Sequence, residues 1–144
     1  MKQSNQTIRK VSPYREHAFQ ILFESSFRDD SPEELFHIAE EIGELKLDDK
    51  IKNFVKGVLE ESEALDKIIS SYSKKRALSR IARTNVIILR MAMYELQHSK
   101  ELSPAIVISE AVHLSEIYAS PEDTSFINGI LGNYVKNQEQ ETNG

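Results

Sequence analysis

The sequence predicts an all-α fold on three observations. Apolar residues return every three to four positions through most of the 144-residue chain. It holds only five glycines and four prolines, and no stretch alternates with the period of two that a half-buried strand requires. A first helix is expected from about Pro13 to Phe27, with Tyr14, Ala18, Phe19 and Leu22 along one face. Ser31 and Pro32 open a second, since serine caps a helix start and proline fits its first turn, and Gly43 closes it. The stripe Ile51, Phe54, Val55, Val58, Leu59, Leu65, Ile68, Ile69 and Tyr72 predicts one third helix, the longest of the chain. The basic segment KKRALSRIAR follows as a short helix or a linker. After it, NVIILRMAMYEL is apolar around nearly its whole circumference, which marks a central, buried helix. Ser103 and Pro104 open the helix AIVISEAVHLSEIY, and Ser120 and Pro121 open the last one, with Asp123 three residues beyond the serine as in a capping box. The polar end KNQEQETNG reads as frayed. The turn near Asp48 and the basic stretch near Lys75 are the expected joints.

Composition narrows the function classes. The chain has no cysteine, which removes disulfides, thiolate chemistry and cysteine-ligated zinc. No stretch reaches the ~18 apolar residues of a bilayer span, and MKQSNQTIRK lacks the apolar run of a secretory signal, so a cytoplasmic protein with no membrane partner is expected. The four histidines, at 17, 37, 98 and 113, show no metal-ligand spacing, and no nucleophile elbow, phosphate loop or dinucleotide fingerprint occurs. No enzyme, cofactor or metal is expected.

Net charge is −5, which taken alone argues against nucleic acid, but the charge is segregated into blocks. Five basic against two acidic residues occupy 1–28, and five against thirteen occupy 29–71. Seven against one then occupy 72–100, and one against seven occupy 101–144. Either these blocks are solvated helix faces, or they give an acidic molecule one basic side.

Several residues break the local pattern. Arg15 falls in the middle of the first helix's apolar face, so its guanidinium either snorkels to water or lies beside aromatic surface to grip phosphate or stack on a base. Arg9 and Lys10 extend that basic edge. Phe19, Phe23 and Phe27 recur every four residues; core packing is the simplest role, with Phe23 the candidate for a base-stacking platform. Arg90 and Glu110 interrupt apolar faces on consecutive helices. An interhelical ion pair between them is expected, with a partner-binding role for Arg90 as the rival. Asn128 and Gly129 interrupt the stripe of the last helix. A mid-helix glycine costs about 1 kcal/mol relative to alanine, so Gly129, like Gly57 in the third helix, is held either for close packing or to open space for a ligand.

Together the segments YREHAFQILF, FVKGVL, LDKII, ILRMAMYEL, PAIVISEAVHLSEIYA and FINGIL, in this order and spacing from about Arg15 to Leu131, resemble the NusB family. The resemblance implies two small helical bundles, three helices plus four. Their lobes would span about 13–74 and 75–137, with the basic segment at the junction. It implies an RNA-binding transcription antitermination factor that binds boxA-type single-stranded RNA of ribosomal RNA transcripts with the ribosomal protein NusE, in the transcription elongation complex, and that assists ribosomal RNA maturation. Homodimers occur in some relatives, so a second copy of the chain stays among the partners. By position, Arg15 with Lys2, Arg9 and Lys10 matches the arginine-rich start that touches RNA, and Phe23 a site that is usually aromatic. Phe126, Asn128 and Gly129 match the FxNG motif near the RNA surface.

The chain departs from the family pattern twice. It has fewer arginines before the first helix, which implies weaker or more salt-sensitive RNA binding by the isolated protein. Asn85 stands where an acidic residue is common, so a charge pair with a partner is not carried over. Two other readings stay open: a purely protein-binding helical adaptor or maturation factor without strong RNA affinity of its own, and the accessory domain of a ribosomal RNA cytosine methyltransferase.

Overall fold

Four helix starts are written into side chains that accept the otherwise unpaired N–H groups of a first turn. Ser31 accepts from the Glu34 N–H while the Glu34 carboxylate accepts from the Ser31 N–H, a complete capping box. Asp48 accepts from Ile51, Ser103 from Ile106 and Ser120 from Asp123. Each such cap contributes about 1 kcal/mol. The computed structural model describes residues 11–143, and among them the chain forms seven α-helices and no strand. They are α1 (Pro13–Ser25), α2 (Pro32–Glu41), α3 (Asp49–Glu60), α4 (Ser62–Tyr72), α5 (Arg83–His98), α6 (Pro104–Tyr118) and α7 (Pro121–Asn143), with one 3-10 turn at Leu78–Arg80 inside the basic segment. None is long and apolar enough to cross a membrane.

The all-α expectation holds, and α5 is the central helix: it packs against α1, α3, α4, α6 and α7. Ile88, Leu89 and Met93 on it meet Leu65, Ile69, Leu114, Ile127 and Leu131 in one core, all fully buried. Each such side chain contributes roughly 1.5–3 kcal/mol by leaving water. Gly57 lets α3 approach α5, because a Cβ there would lie 2.1 Å from the Tyr94 hydroxyl oxygen.

Three boundaries differ from expectation. The stripe from Ile51 to Tyr72 is two helices, broken at Glu61, whose backbone leaves the helical region at φ −100° and ψ 12°. The break has a packing cause. α3 buries its apolar face against α1 and α5, whereas α4 turns away to pack on α5 and α7. α4, which the expected lobe of 13–74 includes, thus packs on two helices that follow the basic segment. α1 ends at Ser25, two residues early, where the Ser25 and Ser26 hydroxyls donate to the Leu22 and Phe23 carbonyls and satisfy the helix end. The longest helix is α7, with 23 residues, which continues through the polar tail that reads as frayed in sequence.

Candidate nucleic-acid interface

Arg15 is buried, at 5% exposure, and it touches carboxylates. Its Nε and NH2 donate to the two carboxylate oxygens of Glu95 at 2.7 and 2.9 Å, and NH1 donates to Glu110 and Ser12 Oγ at 3.0 Å each. The Tyr14 hydroxyl donates to the same Glu95 carboxylate, and Glu110 also accepts from the Ser12 backbone N–H. Burial would by itself lower the Arg15 pKa, but the hydrogen bond and charge of Glu95 raise it above the usual arginine range. Burial, then the hydrogen bond to Glu95, raises the Tyr14 pKa. This corrects the expectation that Arg15 reaches for phosphate or water. Four of its five N–H donors are spent inside the protein, where they tie α1 to α5 and α6.

The expected Arg90–Glu110 pair is corrected by the same cluster. Glu110 serves Arg15, and Arg90 instead makes a two-pronged contact with Asp66 on α4, at 2.7 and 2.8 Å. Both sets of partners were chosen by which helices pack together, and α4 lies against α5. Asn85 is fully buried in the first turn of α5, and among the described residues neither of its side-chain amide atoms has a hydrogen-bond partner.

An open cleft of about 580 Å³ lies between the end of α4, the basic loop and one face of α7. Lys74 and Lys75 stand on one side, Lys136 and Asn133 on the other, and Phe126 and Gly129 complete the lining. The loop is held in shape by the buried Ser73, whose hydroxyl donates to the Arg76 carbonyl at 2.6 Å. The Arg76 guanidinium sits 4.3 Å from the centre of the Phe126 ring, a cation–aromatic stack beside the cleft. Among the described residues, Lys74, Lys75, Arg76 and Lys136 form no ion pair. Gly129 packs against nothing: a Cβ there would meet no atom within 4 Å. Its absence of side chain leaves that part of the cleft open, so close packing among the described residues does not account for the glycine.

A second cation–aromatic platform lies at the end of α1. Phe19, Phe23 and Phe27 form a ladder with ring centres 5.8 and 5.1 Å apart. Phe23 is half-buried in its middle, and the exposed member is Phe27, covered by the Arg83 guanidinium at 4.4 Å while Arg83 donates to the Ser26 carbonyl. Of the sequence-derived candidates, then, Phe126 and Gly129 share the cleft. Asn128 is exposed next to Gly129 but outside the lining, and Phe23 belongs to the second platform. Lys2, Arg9 and Lys10 lie outside the described residues. None of the cleft lysines is a site candidate from the sequence, where Lys75 marks only a joint; the block of seven basic residues against one acidic over 72–100 was the signal for Lys74 and Lys75, and Lys136 lies outside it.

A NusB family model matches residues 12–136. The transcription antitermination protein NusB of Acetivibrio thermocellus is 39% identical over 124 residues, covering 85% of this chain and 86% of that protein. Its counterpart in Clostridium acetobutylicum is 36% identical over 129 residues, covering 88% and 96%. Among solved structures, T. maritima NusB superposes with a TM-score of 0.74 at 29% identity, covering 88% of this chain and 93% of that one. A crystal structure of antitermination factors NusB and NusE in complex with dsRNA superposes with a TM-score of 0.75 at 28% identity, covering 85% and 93%.

Proposed function

The chain belongs to the NusB family, and on that footing we propose that it is an RNA-binding transcription antitermination factor, acting in the cytoplasm within the transcription elongation complex. Its ligand is boxA-type single-stranded RNA of ribosomal RNA transcripts, taken together with the ribosomal protein NusE.

The observation that carries this reading is the cleft, in which three lysines without ion pairs among the described residues surround an aromatic ring and an open glycine floor. Phosphates are attracted by cations that no carboxylate already neutralises, and unpaired bases stack on aromatic rings or on guanidinium planes, so Lys74, Lys75 and Lys136 suit the backbone and the Arg76–Phe126 stack suits a base. Relatives described as antitermination proteins, and a structural neighbour bound to NusE and RNA, support the same reading. The Phe23–Phe27–Arg83 platform offers a second cation–aromatic surface, on which Phe23 keeps its expected place as a base-stacking residue.

The test is titration of labelled boxA RNA with the chain and NusE at several salt concentrations. Lys75→Glu weakens binding and makes the salt slope shallower by about 0.7, the contribution of one phosphate contact on a single strand. Unchanged affinity and slope would remove the cleft from the RNA path.

A further inference from the structure

One face of α7 carries a row of polar side chains. Gly129, Asn133, Lys136, Asn137 and Gln140 all line the cleft. They lie at helical spacings of three and four residues, so they form a single ridge. The family match covers residues 12–136, and α7 runs on to Asn143, so Asn137 and Gln140 lie past the matched span. They are tied into the fold. The Asn137 amide donates to the Tyr72 hydroxyl at 2.9 Å, and the Tyr72 ring packs edge-on against Tyr134 at 5.7 Å, which ties the extra turns to the end of α4.

We propose that the amide ridge Asn133–Asn137–Gln140 is a base-reading wall, which selects the identity of one unpaired nucleotide whose phosphates are held by the lysines of the same cleft. The inference rests on the RNA reading above and adds specificity to it. A side-chain amide offers a donor and an acceptor side by side, the pattern that pairs with the edge of a base, whereas lysine supplies only charge. The side chains of Asn133 and Gln140 are exposed and make no hydrogen bond among the described residues. With its amide nitrogen on Tyr72, Asn137 keeps its carbonyl oxygen as an acceptor. Gly129, one turn before Asn133, leaves the room that a base needs to lie against the ridge.

The experiment measures affinities of the full chain with NusE for short labelled oligo(A), oligo(C) and oligo(U) RNAs. The wild-type chain, Asn133→Ala/Gln140→Ala and Lys75→Glu are compared, with circular dichroism melts confirming that each variant folds. The expected result is that the wild-type chain distinguishes the homopolymers and that the double amide variant loses about tenfold of that ratio while its salt slope stays unchanged. Lys75→Glu weakens all three RNAs alike. If the wild-type chain binds RNA but the amide variant keeps the same ratios, or if there is no discrimination to lose, the base-reading wall is overturned and the RNA reading stands. If the wild-type chain binds none of the RNAs, nor boxA, both fall together.

Discussion

Arg15 shows how burial changes what a charged side chain does. A guanidinium at 5% exposure, with two carboxylates and a hydroxyl on it, spends its charge on cohesion. Removing one partner of such a cluster strands the others in a medium that solvates them poorly, which costs about 3–5 kcal/mol. Arg15→Ala is therefore expected to lower unfolding free energy by that amount in urea titrations. Under conditions where the variant remains folded, the salt slope of its RNA binding should equal that of the wild-type chain. A slope shallower by about 0.7 would show that Arg15 touches phosphate after all. Sequence located the oddity at Arg15, and at Arg90 and Glu110, because a charge on an apolar face is visible from periodicity. It could not assign the partners. Asp66 and Glu95, which complete the two pairs, are unremarkable charges in the sequence and acquire their roles from the crossing of helices far apart in the chain.

At the scale of the helix, α7 carries a conflict between propensity and use. Gly129 lies inside a 23-residue helix, where alanine would be better by about 1 kcal/mol, and no neighbouring atom demands a glycine. Gly129→Ala is expected to raise stability by up to about 1 kcal/mol in thermal or urea unfolding while weakening RNA binding, because the new methyl group enters the cleft. A variant that is stabilised and binds RNA unchanged would mean that the glycine floor has no part in the site. Gly57 is the opposite case. Alanine there would drive into the Tyr94 ring, so that glycine serves packing. From sequence the two glycines read alike, since both interrupt an apolar stripe, and only the neighbour across the interface separates them. Helix starts were the more legible feature: Ser31, Asp48, Ser103 and Ser120 act locally, through hydrogen bonds to residues three positions on.

Considered as one folding unit, the molecule links α1 to α5 and α6 through hydroxyls as well as charges. Tyr14 donates to Glu95, and Tyr118 at the end of α6 donates to Glu16 on α1. Burial raises the pKa of Tyr14, Tyr94 and Tyr118 above the usual value near 10. An unfolded chain releases these phenolic protons at lower pH than the folded one does. Stability is thus fully present below about pH 10 and is lost as pH rises toward the folded values. Urea unfolding between neutral and strongly alkaline pH should show this decline, and Tyr14→Phe should make it less steep. An equally steep decline in that variant would place the alkaline sensitivity elsewhere.

By itself the sequence determined the helical class, most helix starts, the buried character of α5 and the family, because each depends on residue order along one helix or on motifs read in series. Tertiary packing decided the rest. It split the stripe between Ile51 and Tyr72 so that α3 and α4 could bury against different neighbours, drew Arg15 inward, and brought Lys74 and Lys75 across from Phe126 and Lys136. Periodicity records which face of a helix avoids water, but it does not record which other helix covers that face. Ion pairs and clefts are made in that second step.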